Sequence, residues 1–340
     1  MKQRLTIAIP TYNRPVQLKT TLEIIIPQVL ACEQVQLLLL DNHSETQVQA
    51  VLNTLLPKAH ERVNVIRHTA NIGGNANVMR CFELCETAWI WILADDDLPA
   101  PDAVATILQD ARGAHCYAYY WVPNIVRPAF RPEEPISVTG DSFDKLCSYF
   151  KNGFTQLMFL SAAVYQMDQM RKYITEGYLT ANTGMPHIVM LIKALEEGKT
   201  WMVSRRSIVS YNMPPPGERW SRLALAYSLP SLLSCAHDLE ETQLFKRVIV
   251  DEFGRYFSPR QIFSEVIQQH HFTRNGSHLR YICSLLQNVY RPSFISNPRR
   301  WMFWKITGLL TLSPRLFLYL GRKYEKVVNH SMGGINRNRT

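Results

Sequence analysis

The 340-residue chain lacks any uninterrupted apolar stretch of about eighteen residues, which argues against a membrane-spanning helix. Its N-terminus, MKQRLTIAIPTYNRP, also lacks the apolar region of a secretory signal, because LTIAI runs straight into Pro10. A cytoplasmic protein is therefore expected. Cysteine pairs at zinc or redox spacing are missing as well. The seven cysteines (Cys32, Cys81, Cys85, Cys116, Cys147, Cys235, Cys283) are odd in number and include no CxxC, so neither a disulfide framework nor a zinc knuckle is indicated. Cys81 and Cys85, four apart, share a helix face and read as small core residues. Charge is sparse at 19%, against 46% hydrophobic residues. That is too apolar for disorder and enough for a sizeable core, in one large domain with an appendage or in two domains. Acidic residues are nearly absent from the C-terminal end. Residues 299–340 carry nine Lys/Arg and a single acid, Glu325, whereas the rest carries 28 basic and 27 acidic residues. The basicity belongs to a C-terminal device, which weakens any reading of the whole chain as a nucleic-acid binder.

Short apolar runs alternate with helical patterns over the first 123 residues. LTIAI (5–9), VQLLLLD (35–41), VNVIRH (63–68), AWIWILA (88–94) and HCYAYYWVP (115–123) read as strands. Between them, VQLKTTLEIIIPQVL (16–30), QVQAVLNTLL (47–56), 75–86 and DAVATILQDAR (102–112) read as helices, the first strained by Pro27. Continuous rather than alternating apolar strands predict an α/β fold with a mostly parallel sheet covered on both faces. Residues 124–150 read as a proline-containing loop excursion, 154–165 as a further strand, 185–199 as a helix and 200–212 as strand-like. PPPGERW (214–220) is a stiff run leading to glycine, and 222–325 reads as mostly helical. This gives a first domain over 1–212 and a helical C-terminal region over 213–340.

Ligands of such sheets bind beyond the carboxyl ends of the strands. Polar residues collect there in this sequence: PTYNRP after the first strand, DNHSE after the second, HTANIGGN after the third and DDDLP after the fourth. The adjacent carboxylates Asp95, Asp96 and Asp97 repel one another unless a cation or a set of donors compensates. Mg²⁺ or Mn²⁺ would do so and keep positions open for phosphate. The plainer alternative is that Asp97 or Asp102 caps the next helix. Asp41 is placed to accept from a ribose hydroxyl or a base N–H, or else to form an Asx turn with Asn42 and Ser44. Asn71-Ile72-Gly73-Gly74-Asn75 supplies glycines for close backbone approach at a helix start, or a simple tight turn. It is neither GxGxxG nor a Walker loop, so nicotinamide and P-loop chemistry are excluded.

Taken together, IAIPTYNRPVQLKTTL, LLLLDNHSE, NIGGNANVMRCFE and WIWILADDDLP resemble the family 2 glycosyltransferases of the GT-A fold. The resemblance is close over about 120 residues and looser to about residue 210. Within the family the sequence looks most like bacterial surface-polysaccharide enzymes, abequosyltransferase-like proteins included. It implies that Pro10, Thr11, Tyr12 and Arg14 wrap the nucleotide, that Asp41 reads the base, and that Asn71 and Gly73 flank it. It further implies that Asp97 contacts Mn²⁺ or Mg²⁺, and that Asp95, beside Asp96, serves the ribose or the metal. An inverting single displacement from a nucleotide-sugar donor is the implied reaction, with a carboxylate base at the start of an acceptor-side helix.

The sequence departs from that pattern at the base. Thr183-Gly184-Met185-Pro186-His187-Ile188 contains no carboxylate. His187 is the substitute by residue type, against the alternative of a capping or core histidine. Asp168 and Glu176 are weaker candidates. PPPGERW offers Arg219, Arg222 beyond it, and Trp220 for closing over a donor, or serves as a linker. The segment 299–326 interleaves Trp301, Phe303, Trp304, Phe317 and Tyr319 with basic residues. That suits the inner face of an anionic membrane and a lipid-linked saccharide acceptor, as in O-antigen assembly, or else a core helix pair with a charged rim. Two rivals remain: a non-catalytic nucleotide- or carbohydrate-binding protein, and a two-metal nuclease whose further ligands are not found in the sequence.

Overall fold

The computed structural model describes residues 4–123 apart from 57, 59 and 114, then 131–139 and 159–212, with isolated positions 305 and 319. The chain divides into two units, one of residues 1–219 with 235–248 and one of 220–234 with 249–340. All that follows concerns the first. PPPGERW and the segment 299–326, apart from those two isolated positions, lie outside the described residues. Among the described residues no helix is long and apolar enough to cross a membrane.

The strands are β1 (Leu5–Thr11), β2 (Val35–Asp41), β3 (Val63–Arg67), β4 (Trp89–Ile92), β5 (Leu98–Pro99), β6 (Tyr117–Tyr120), β7 (Ile136–Val138), β8 (Ala163–Gln166), β9 (Trp201–Ser204) and β10 (Val209–Ser210). The main sheet runs β3-β2-β1-β4-β8-β6-β9-β7. β3, β2, β1 and β4 are mutually parallel, and β8 enters antiparallel between β4 and β6. β6 and β9 are parallel, with β7 antiparallel at the edge. The expected mostly parallel α/β sheet is present. Its inner strands are buried along nearly their whole length, Pro10 and Gln36 being half-buried, which explains why they read as apolar runs.

Several expectations need correction. The strand-like stretch 200–212 is two strands, because β10 leaves the main sheet to pair antiparallel with β5. The excursion after residue 123 includes β7. The first five residues of the run expected as a strand over 154–165, positions 154–158, lie outside the described residues. Of its end, Leu160–Ala162 is a 3₁₀ turn and β8 starts only at Ala163. Two short helices, α5 (Met167–Met170) and α6 (Ile174–Leu179), follow β8 where none was predicted.

The longer helices fall where the pattern placed them: α1 (Pro15–Leu30), α2 (Val48–Leu55), α3 (Gly74–Glu83), α4 (Ala103–Asp110) and α7 (Pro186–Glu196). Pro15 opens α1, where its missing N–H is no loss. Pro27 does not break α1. Pro27 and Glu23, whose carbonyl loses its usual partner, both face solvent, so water replaces the bond. Gln28 of α1 bridges to the start of α4: its Nε2 donates to Ala100 O at 2.9 Å and its Oε1 accepts from Val104 N at 3.1 Å.

β1 is followed in space by β2 and then β3 on one side, while the chain returns to place β4 on the other. The switch of direction falls between β1 and β4. Pairing of β1 with β4 ends at Ala8–Ile92, with Leu93 N still donating to Ala8 O. Two residues further, Pro10 faces the same side and has no N–H to offer. The two strands separate there without leaving a buried donor unsatisfied, and a crevice opens at the carboxyl edge.

Candidate active site

The loops leaving β1, β2, β3 and β4 meet at this edge. Asn42 N donates to Thr11 O at 3.0 Å, and Asn13 N donates to Ser44 Oγ at 3.0 Å, which ties the first loop to the second. The buried Asn42 side chain spans to the third loop. Its Nδ2 donates to Asn71 Oδ1 at 2.8 Å and its Oδ1 accepts from Ile72 N at 2.9 Å. Asn71 Oδ1 also accepts from Gly73 N at 2.9 Å. Gly73 precedes α3 with φ of 86°, a backbone shape that explains glycine at this position. Tyr12 is 44% exposed at the rim.

Asp41 ends β2 with its carboxylate 1% exposed. Its Oδ1 accepts from Ser44 N at 2.8 Å, three residues on, which closes the local turn expected with Ser44, and its Oδ2 pairs with Arg67 at the end of β3. Burial pushes this carboxyl up, but the Ser44 bonds and the Arg67 guanidinium outweigh it and hold it below its ordinary value. The carboxylate that the resemblance assigns to base reading is thus engaged on both oxygens, and Arg67 carries the more exposed end of the pair.

The aspartate triplet is organised residue by residue. Thr11 Oγ1 donates to Asp95 Oδ2 at 2.6 Å, and Arg14 pairs with both Asp95 and Asp96. From α1, Thr21 Oγ1 lies 3.0 Å from the carbonyls of both Asp95 and Asp97, so one hydroxyl pins the turn between them. Ser161 Oγ donates to Asp97 Oδ2 at 2.6 Å. Helix capping does not account for these acids. Asp102 is the N-cap of α4 yet makes no side-chain capping bond, and Asp97 faces Ser161 instead.

The three carboxylates are therefore compensated unequally. Asp95 and Asp96 share Arg14, whereas among the described residues Asp97 has hydrogen-bond donors but no Lys, Arg or His as an ion-pair partner. Burial raises Asp95 to about 6 against the Thr11 bond and the Arg14 charge. Burial likewise raises Asp97 to about 7, opposed chiefly by Ser161. Among the described residues no cluster of three or more His, Cys, Asp or Glu could hold a metal by itself. The oxygen donor set still fits Mg²⁺ or Mn²⁺, which commonly bind through one or two carboxylates and complete their shell with substrate phosphate and water.

His187 is the second residue of α7 and is 5% exposed. The turn ahead of that helix is tied to the site, because Asn75 Nδ2 at the start of α3 donates to Ala181 O at 2.8 Å. Sequence reasoning missed Ser161, Thr21, Arg67 and the bridging role of Asn42. A signal existed for two of them: Thr21 falls on the apolar face of α1 with Leu18, Leu22 and Ile25, and Ser161 sits alone in an apolar run.

Residues 6–157 match the family described as glycosyl transferase family 2. No curated protein matches the sequence. Among solved structures, residues 1–349 of S. aureus TarS share the architecture with a TM-score of 0.62 at 13% identity, covering 92% of each chain. The same fragment solved with UDP-GlcNAc gives 0.58 at 12% identity over 92% of each chain. The mannosyltransferase PcManGT from Pyrobaculum calidifontis, solved with GDP-Man and Mn²⁺, gives 0.56 at 13% identity over 93% of this chain and 88% of that one. The described unit has the GT-A fold, and the crevice between β1 and β4 is the end of the sheet that the family motif residues share.

Proposed function

We propose that this chain is a divalent-cation-dependent glycosyltransferase that moves one sugar, with inversion, from a nucleotide-sugar donor to a lipid-linked glycan of a bacterial surface polysaccharide such as O-antigen. The observation that carries the reading is the unequal compensation of the triplet: Asp97 is a buried carboxylate at the β4 edge without a cationic partner among the described residues. UDP-GlcNAc in TarS and GDP-Man with Mn²⁺ in PcManGT support the donor class and the cation.

In this mechanism Asp97 would hold the cation, with Asp95 alongside, while Thr11 and Arg14 fix the orientation of Asp95. Mn²⁺ or Mg²⁺ held there would supply positive charge against the departing diphosphate. Pro10, Tyr12, Asn71 and Gly73 line the nucleotide, and the Asp41–Arg67 pair lies at the base end. The acceptor oxygen attacks the anomeric carbon as its bond to the diphosphate breaks, and His187 takes the acceptor proton. The segment 299–326 holds the enzyme to an anionic membrane surface near its acceptor.

The test is donor turnover with and without Mn²⁺, using UDP- and GDP-sugars. Wild type hydrolyses or transfers a donor only with the cation, and Asp97→Asn abolishes this. Cation-independent turnover, or an active Asp97→Asn, overturns the reading. A second reading, nucleotide-sugar binding without transfer, is favoured by the absence of a carboxylate in 183–188 and by the burial of His187. His187→Ala separates the two: loss of transfer with donor binding intact assigns the base, and near-normal turnover removes His187 from the mechanism. Deleting 299–340 should release a folded protein from membranes, and continued sedimentation with them refutes the membrane role.

A further inference from the structure

β8 is the one antiparallel strand in the middle of the sheet, and that reversal has a chemical use. Its N-terminal end lies against the C-terminal end of β4, where the aspartate triplet begins. The register Trp91–Val164, extended by three residues, sets Ser161 opposite Ala94. Ala94 N does donate to Ser161 Oγ, at 2.9 Å. A hydroxyl has a single proton, so accepting from Ala94 leaves the Ser161 proton to point elsewhere. It points at Asp97 Oδ2, 2.6 Å away. The backbone of Ser161 is fixed from behind, since its carbonyl accepts from Trp91 Nε1 at 2.8 Å. Ser161 and Trp91 are buried and Asp97 is 3% exposed, so water does not compete for these bonds.

We infer that Ser161 is a positioning residue for the cation: through a proton locked by Ala94 and a backbone locked by Trp91, it fixes the rotamer of Asp97 so that the carboxylate meets a divalent ion in one orientation. The inference rests on the glycosyltransferase reading, in which Asp97 is the ligand. Hydrogen bonds to metal-binding carboxylates orient them, and their loss commonly costs 10- to 100-fold in metal affinity. Ser161 lies outside the residues matched by the family model, so the carboxylate and the group that orients it come from different parts of the chain.

The experiment titrates Mn²⁺ into full-length protein and follows the free-ion electron paramagnetic resonance signal, alone and with UDP or GDP. Thermal melting of the metal-free protein runs in parallel. Ser161→Ala is expected to weaken Mn²⁺ binding about tenfold or more while the melting curve stays cooperative. The bound-Mn²⁺ spectrum should broaden as the carboxylate samples several orientations. Mn²⁺ affinity within about twofold of wild type in folded Ser161→Ala overturns the inference and leaves the glycosyltransferase reading standing. Should Ser161→Ala not fold, Trp91→Phe decides: it removes the Nε1 bond behind Ser161 together with part of a buried ring, so its metal-free melting is read in parallel and the folded protein is titrated. Weaker Mn²⁺ binding in that variant supports the inference, and unchanged binding overturns it. A wild type that takes up no Mn²⁺ with either nucleotide overturns both.

Discussion

Arg62 offers a sharp test of how the first unit is held together. It lies just before β3 and is only 9% exposed. Its guanidinium donates to backbone carbonyls around the end of α1: Nη1 to Val29 O and Cys32 O at 2.6 Å each and to Val35 O at 3.3 Å, and Nη2 to Leu30 O at 3.2 Å. One charged side chain thus closes the last turn of α1, the loop after it and the first residue of β2. It does so where the helix dipole favours a cation. Hydrogen bonds to charged groups contribute roughly 1.5–3 kcal/mol each. Counting the two short contacts at the low end and leaving the longer ones to water, Arg62→Met should cost about 3 kcal/mol. For a folded unit of this size that lowers the melting temperature by roughly 6–12 °C. Arg62→Lys keeps the charge but loses the fork, so it should recover about half of the loss. The assay is thermal melting of the nucleotide-free protein by near-ultraviolet circular dichroism. A drop of less than about 2 °C in Arg62→Met would refute the reasoning, since water or the neighbouring chain would then satisfy those carbonyls equally well.

Asp41 predicts a pH dependence. Its carboxyl is held below its ordinary value, so its stabilising bonds are fully present above the unfolded value near 4 and are lost as pH falls through the folded value. The melting-temperature advantage of wild type over Asp41→Asn should therefore shrink as pH is lowered from about 6 to about 3; a constant difference contradicts the assignment. The two glycines before α3 should behave in opposite ways. Gly73→Ala meets no neighbouring atom but must adopt φ of 86°, at a cost of roughly 1–2 kcal/mol, whereas Gly74→Ala has open space and helical backbone and should be neutral or slightly stabilising. Equal melting temperatures for the pair would refute that contrast. Thr21→Val removes the hydroxyl that reaches both the Asp95 and Asp97 carbonyls, and should destabilise by about 1–2 kcal/mol in chemical denaturation; an unchanged midpoint shows that the turn holds itself.

Much of the sheet was readable because burial on both faces leaves a simple imprint. VQLLLLD is apolar apart from Gln36 until its last residue, and the strand occupies that segment from Val35 to Asp41. The second half of the unit was harder for a physical reason. β8 is four residues long and follows a 3₁₀ turn, so its apolar run extends beyond the strand on the N-terminal side. β5 and β10 are two residues each, too short for any periodicity to register, and they pair at a sequence separation of about 110. Strand direction is not written in hydrophobic pattern at all, and β8 was expected as a strand with nothing to mark its reversal.

The site divides along the same line. Residues whose role follows from their place on a strand end, Thr11, Asp41, Asn71 and Asp95–Asp97, were visible as polar groups following apolar runs. Those that act through a contact distant in sequence were not: Ser161 meets Asp97 across 64 residues, and Thr21 meets the same turn across about 75. Charge repulsion within Asp95-Asp96-Asp97 required a counter-charge, and the sequence could not say whether a side chain or an ion supplies it. Arg14 answers for two of the three carboxylates. A second arginine at Asp97 would have closed the account and left a structural ion cluster. The Ser161 hydroxyl at that position instead orients the carboxylate without neutralising it, which leaves the negative charge that the proposed cation would meet.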